Sequence, residues 1–107
     1  MDVTEQIKET IENNPIVIFM KGTPDLPQCG FSMRASQALA GCTAEFAYVN
    51  VLEDERIRDG VKQFGNWPTI PQLYINGELV GGHDIILELY QNGELKPMME
   101  AAGKAPE

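Results

Sequence analysis

The chain has 107 residues, with eight Lys+Arg against sixteen Asp+Glu, a formal charge of -8. At this length residues 1–107 make one domain that hides roughly two-thirds of the surface it exposes when unfolded, so it needs no disulfide lattice. The acidic balance argues against nucleic acid and against an anionic membrane surface, because both demand a basic face; it leaves room for a basic protein partner or a cationic patch within an acidic shell.

In chain order, Val3, Ile7 and Ile11 fall four apart, one face of a helix that Asn13-Asn14-Pro15 ends. Ile16 to Met20 is short, β-branched and apolar on both faces, which predicts a buried central strand. Gly22 through Pro27 reads as a loop. From Cys29 a helical stripe runs through Phe31, Ala35, Ala38, Leu39 and Cys42, with Gly41 near its end. Phe46 to Val51 predicts a second buried strand. Asp54 is placed to cap a third helix with an apolar face of Ile57, Val61 and Phe64. Trp67-Pro68-Thr69-Ile70-Pro71 interrupts regular structure. Asn76-Gly77 between Leu73-Tyr74-Ile75 and Glu78-Leu79-Val80 predicts a two-residue hairpin turn. Gly81-Gly82 leads into a helix carrying Ile86, Leu89 and Tyr90, and a last helix carries Leu95, Met98 and Met99. Residues 103–107 are expected to fray. This order gives an α/β fold: a mixed four-stranded sheet with helices on both faces, its first two strands parallel and its last two an antiparallel hairpin.

The longest apolar run, Ile16 to Met20, is far too short to span a membrane, and Met1-Asp2-Val3-Thr4-Glu5 has no signal-peptide character. A cytoplasmic location is the expectation. There, cysteines mean packing, metal or catalysis. Cys29 sits where a proline-rich loop meets a helix start. Unpaired N–H groups and partial positive charge at that point favour a thiolate, and Lys21 at the end of the preceding strand adds to the effect. The alternative is a buried, inert thiol. Serine follows at position 32, where a dithiol motif has its second cysteine, so Cys29 closes no local disulfide and must use an external thiol or act as a ligand. Cys42 lies thirteen residues on, roughly 20 Å along the same helix, beyond disulfide reach. It reads as a small core residue.

Two further segments are candidates. A cis Ile70–Pro71 bond would present the Ile70 backbone to an extended peptide, or the segment is an ordering turn. Gly81-Gly82-His83-Asp84 could cradle a carboxylate on free N–H groups while Asp84 accepts an amine, or it is a tight turn with Asp84 as cap. Arg58, four residues before Lys62 on one helix face, could meet an anion, whereas Arg56 and Lys62 suit a solvated face beside Glu53, Asp54 and Glu55. Together these features describe a small peptide with both a carboxylate and an amine, lying beside a reactive thiol. Glutathione meets that description.

Lys21-Gly22-Thr23-Pro24, Pro27-Gln28-Cys29-Gly30-Phe31-Ser32, Trp67-Pro68-Thr69-Ile70-Pro71 and Gly81-Gly82-His83-Asp84, in this order and spacing, resemble the monothiol glutaredoxins with a Cys-Gly-Phe-Ser motif. The resemblance spans about the whole chain. It implies a thioredoxin-like fold with an extra N-terminal helix. It implies glutathione held by Lys21 and Arg58 at its glycine carboxylate, by the Ile70 backbone before a cis Pro71, and by Gly82, His83 and Asp84 at its γ-glutamyl end. It also implies a [2Fe–2S] cluster bridging a homodimer, with Cys29 and a glutathione thiolate from each side, together with a BolA-like partner and apo iron–sulfur clients. His83 departs from the family, which often has cysteine or serine there. Three functions stand open: a carrier in cluster assembly and transfer, a glutathione-dependent thiol–disulfide oxidoreductase with Cys29 as nucleophile, and an adaptor without chemistry. The added stretch Thr23 to Pro27 beside the thiol favours the first by reshaping how glutathione sits.

Overall fold

In the computed structural model, which describes residues 2–42 and 45–103, the two-sided apolar run Ile16–Met20 forms β1 and all five of its residues are buried. Alternation along a strand sends neighbouring side chains to opposite faces. Val17 and Phe19 meet Ile7 and Ile11 of α1 (Val3–Asn13) and Val61 of α3 (Glu55–Phe64). Ile16, Ile18 and Met20 meet Ala35, Ala38 and Leu39 of α2 (Gly30–Gly41), Ile86 of α4 (His83–Gln91), and Leu95 and Met99 of α5 (Leu95–Ala101). The sheet is therefore sandwiched between α1 with α3 on one face and α2, α4 and α5 on the other. Among the described residues, no helix is long and apolar enough to cross a membrane.

The strand order is β2-β1-β3-β4, with β2 at Ala47–Asn50, β3 at Gln72–Ile75 and β4 at Glu78–Gly81. β1 runs parallel to β2 and antiparallel to β3, and β3 runs antiparallel to β4. The hairpin turns at Asn76 and Gly77, both at positive φ (52° and 82°), the backbone that Asn-Gly adopts readily. Asp54 caps α3 by accepting the Arg56 N–H at 2.9 Å, and Asp2 caps α1 by accepting the Glu5 N–H at 2.9 Å.

Four expectations change. The second strand is an edge strand rather than a buried one: it pairs only with β1, Tyr48 is half exposed, and Val51 is buried in a 3-10 turn that follows. Phe31 lies in the first turn of α2, before that helix is covered, and is exposed rather than core. Asp84 does not cap α4; Gly82 occupies that position, and the Asp84 side chain is fully solvated. Gly103 is not frayed, because its N–H donates to Asn76 Oδ1 at 2.8 Å; residues 104–107 of the expected tail lie outside the described residues.

Candidate functional site

The topology brings the candidate segments to one edge of the sheet. β1, β2 and β4 point the same way and β3 the other. The residues that follow β1 and β4 (Lys21 and Gly82) therefore meet those that precede β3 (Ile70 and Pro71), while α2 begins nearby at Cys29. The carboxyl ends of strands in α/β sheets are where ligands commonly bind.

Cys29 is the N-cap residue of α2 and is partly exposed. The Ser32 N–H, and after it the Phe31 N–H, the Lys21 ammonium and the Ser32 hydroxyl, hold its pKa below the ordinary thiol value, against a smaller opposing effect of burial. Ser32 is fully buried, and its Oγ accepts the Lys21 N–H at 3.0 Å. The hydroxyl therefore joins the strand end to the helix start and still has its own proton to offer the sulfur. Cys42, at the other end of α2, is buried, and burial pushes its pKa up.

The loop between Lys21 and Cys29 is closed by its own hydrogen bonds. Thr23 and Leu26 exchange N–H···O bonds of 3.2 and 3.1 Å, and the Gln28 N–H reaches the Lys21 carbonyl at 2.9 Å. Asn50 Oδ1, at the end of β2, accepts the Gly22 N–H at 2.9 Å and the Leu52 N–H at 3.0 Å. Gly22 has φ +91°, and a Cβ there would lie 2.5 Å from the Leu26 oxygen, so only glycine fits.

At the same sheet edge lies a cavity of about 240 Å³, walled by Phe31, Trp67, Ile70, Pro71, Gly82 and His83 with their neighbours Thr69, Asp84 and Ile85. The Ile70–Pro71 bond is cis. Phe31 packs against His83 with the rings tilted by 60° and their centroids 4.7 Å apart. His83 Nδ1 is 3.0 Å from Asp84 Oδ1; the carboxylate only accepts, so Nδ1 donates. That Nε2 and the Trp67 indole N–H are buried without a hydrogen-bond partner. The first-turn N–H groups of α4 have no intrahelical acceptor. The wall thus offers N–H donors for a carboxylate and the Asp84 carboxylate for an amine.

The predicted site residues fall into two groups joined by Phe31. Cys29 and Lys21 form one; Ile70, Pro71, Gly82, His83 and Asp84 form the other. Arg58 lies on α3, outside the cavity wall. Among the described residues neither Lys21 nor Arg58 is in an ion pair, whereas Arg56 is held by Asp54 at 3.0 Å. Four contributors carry no site role in the sequence pattern: Phe31 reads as core, Ser32 only as the absence of a second thiol, and Asn50 and Gln72 as nothing. For Gln72 a signal existed, a lone amide opening an otherwise apolar strand. Among the described residues no three His, Cys, Asp or Glu side chains converge on one point.

This arrangement, a single activated thiol at a helix start and a cis-proline before β3 at the same end of a four-stranded sheet, defines the thioredoxin-like class. The glutaredoxin family model matches residues 16–80, and the chain belongs to that family as a monothiol member. It is 52% identical over 105 residues to glutaredoxin 4 of Haemophilus influenzae, covering 97% of this chain and 98% of that one. It is likewise 52% identical over 101 residues to glutaredoxin 4 of Escherichia coli K12, covering 94% and 88%. Reduced apo GrxS14 from poplar has the same fold, with a TM-score of 0.78 and 46% identity over 92% of this chain and 90% of that one. The buckwheat glutaredoxin–glutathione complex, at 22% identity and a TM-score of 0.82 over 97% and 93%, shares the fold alone.

Proposed function

We propose that this chain binds glutathione at the sheet edge and carries a [2Fe–2S] cluster, shared with a second copy, to apo iron–sulfur proteins. The observation that carries this reading is the solitary thiol: Cys29 is partly exposed and favoured as thiolate, while Cys42 is buried and disfavoured. A soft thiolate at the rim suits a cluster ligand. One chain supplies one such ligand and a bound glutathione supplies another; a [2Fe–2S] centre takes four, so two site openings must face each other. The cavity at the same sheet edge as Cys29, with N–H donors for a carboxylate and Asp84 for an amine, supports glutathione as the co-ligand, as does the glutathione held by the buckwheat relative. Lys21, close enough to act on the thiol, would meet the glycine carboxylate, and Arg58 would assist from α3. A BolA-like protein would take the place of one copy in a mixed assembly, and the cytoplasm would be the compartment.

The experiment is anaerobic reconstitution with iron, sulfide and glutathione, followed by absorption and light scattering. A coloured dimer with one cluster per two chains is expected, retained by Cys42→Ser and lost by Cys29→Ser. A Cys29→Ser protein that keeps its cluster, or a monomer with full iron, overturns the reading. The lowered thiol pKa favours a second activity at the same atom. The Cys29 thiolate would attack the glutathione sulfur of a mixed disulfide, releasing the substrate thiolate; a second glutathione would then take the glutathionyl group as glutathione disulfide and restore Cys29. Turnover of a glutathionylated peptide measures it.

A further inference from the structure

Gln72 opens β3, opposite Phe19 of β1, and is fully buried. The strand is otherwise Leu73-Tyr74-Ile75, so an amide there needs a reason. Its Nε2 donates to the carbonyls of Trp67 at 3.0 Å and Thr69 at 3.2 Å. Its Oε1 accepts the Tyr74 hydroxyl at 2.9 Å. Tyr74 is in turn fixed edge-on by Phe19 and Phe64, with centroids at 5.7 and 6.1 Å. Gly65 makes the space, since a Cβ there would strike the Tyr74 hydroxyl. Both amide hydrogens are thus spent on the segment from Trp67 to Thr69, of which Trp67 and Thr69, with Ile70 and Pro71, wall the cavity. A hydrocarbon at position 72 would leave two carbonyls turned inward without donors, and an ionised glutamate would face them with only lone pairs.

We propose that Gln72 is a positioning residue. Oriented by Tyr74, its amide holds the Trp67–Pro71 segment in the form that receives the ligand, and so sets the affinity for the bound thiol peptide. The proposal rests on the reading of the cavity as a glutathione site. Gln72 does not border the cavity and reaches the ligand only through the loop, and sites of this kind tolerate displacements of only about 0.5 Å in their supporting groups.

The test uses the full chain and two variants. Gln72→Met keeps the volume and removes both donors; Tyr74→Phe leaves the donors and frees the amide to turn. Trp67 is the sole tryptophan, so its fluorescence and its quenching by acrylamide report the loop directly, without any ligand. Glutathione affinity is read by calorimetry well below each Tm. The expected result for Gln72→Met is glutathione binding weakened about tenfold, the scale of one lost hydrogen bond, with raised Trp67 quenching and an unchanged alkylation rate at Cys29. Tyr74→Phe should give a smaller change in the same direction, and it carries the test if Gln72→Met fails to fold. A folded variant with wild-type quenching, or with wild-type affinity, overturns the proposal whatever its Tm. If the unaltered chain binds no glutathione, the functional reading falls instead, and Trp67 quenching alone then decides for or against the clamp.

Discussion

Ser32→Ala removes one oxygen that serves two neighbours, and the two losses separate by pH. The Lys21 N–H loses its acceptor at 3.0 Å. An orphaned buried donor costs about 1–3 kcal/mol, and because this bond is only part-buried the loss should fall near 1 kcal/mol at every pH. The Cys29 thiolate loses the hydroxyl but keeps the Ser32 and Phe31 N–H groups and Lys21. Its pKa should therefore rise yet stay below the ordinary thiol value. A group whose pKa is lowered by folding stabilises the fold above its unfolded pKa, and that contribution fades as pH falls through the folded value. Narrowing the gap by Ser32→Ala must therefore cost more at high pH than at mildly acidic pH, where the thiol is neutral in both proteins. The assays are urea denaturation at both ends of this range and the pH profile of alkylation at Cys29. An unmoved alkylation profile would show that the hydroxyl does not face the sulfur. A stability loss that shrinks as pH rises would refute the linkage argument.

Cys29 should react with iodoacetamide far faster than Cys42 in the native protein, because Cys42 is 1% exposed with a raised pKa; equal rates under native conditions would contradict the buried assignment. Gly22→Ala should cost roughly 1–2 kcal/mol in backbone strain alone, more if the Thr23–Leu26 turn opens, since its Cβ meets backbone atoms that cannot step aside; a shift in urea midpoint measures it, and an unchanged midpoint counts against the described loop. Leu39→Ala, at a fully buried site between sheet and helices, should lose about 2–5 kcal/mol, again by urea. Lys21→Ala should raise the alkylation pKa of Cys29 and Arg58→Ala should leave it in place, because only Lys21 acts on the thiol; a shift from Arg58→Ala would place that guanidinium nearer than the α3 position implies.

Local chemistry made most of the fold readable. The Asn76-Gly77 turn, the Asp54 cap and the two-sided apolar run of β1 each have a cause within a few residues, and each forms where that cause lies. The β2 segment shows the limit. Apolar residues from Phe46 to Val51 say that a strand is favoured, but whether it sits inside a sheet or at its edge depends on where β3 and β4 add, and they add on the far side of β1. Phe31 fails for a related reason. Its spacing puts it on the apolar stripe of α2, yet in the first turn it stands exposed and packs on His83, so the same ring becomes a wall of the cavity. The thiol, the cis-proline segment and the Gly81-Gly82 turn were legible because strained or exposed backbone has a compositional signature. Asn50 was not, because its partners are backbone N–H groups, which every sequence has everywhere; Gln72 shows only as a lone amide opening an apolar strand, with nothing in the sequence to say which carbonyls it ties.

The position of the two cysteines constrains the chemistry more than either cysteine does alone. α2 holds them at its opposite ends, roughly 20 Å apart. The helix start stabilises one thiolate and the core suppresses the other. Neither can resolve a bond formed at its counterpart without dismantling α2 and the core packed on it. Whatever Cys29 joins, a mixed disulfide or a metal, therefore persists until a thiol or an acceptor arrives from outside. On the proposed function, the occupant of the cavity would set the lifetime of that bond, received by the loop that Gln72 ties and the first turn that Gly82 caps. In a dithiol protein a second thiol inside the helix would compete with the occupant. Here serine takes that position and uses its oxygen on the Lys21 N–H, so the residue that rules out an internal disulfide also helps fix the geometry in which an external partner is received.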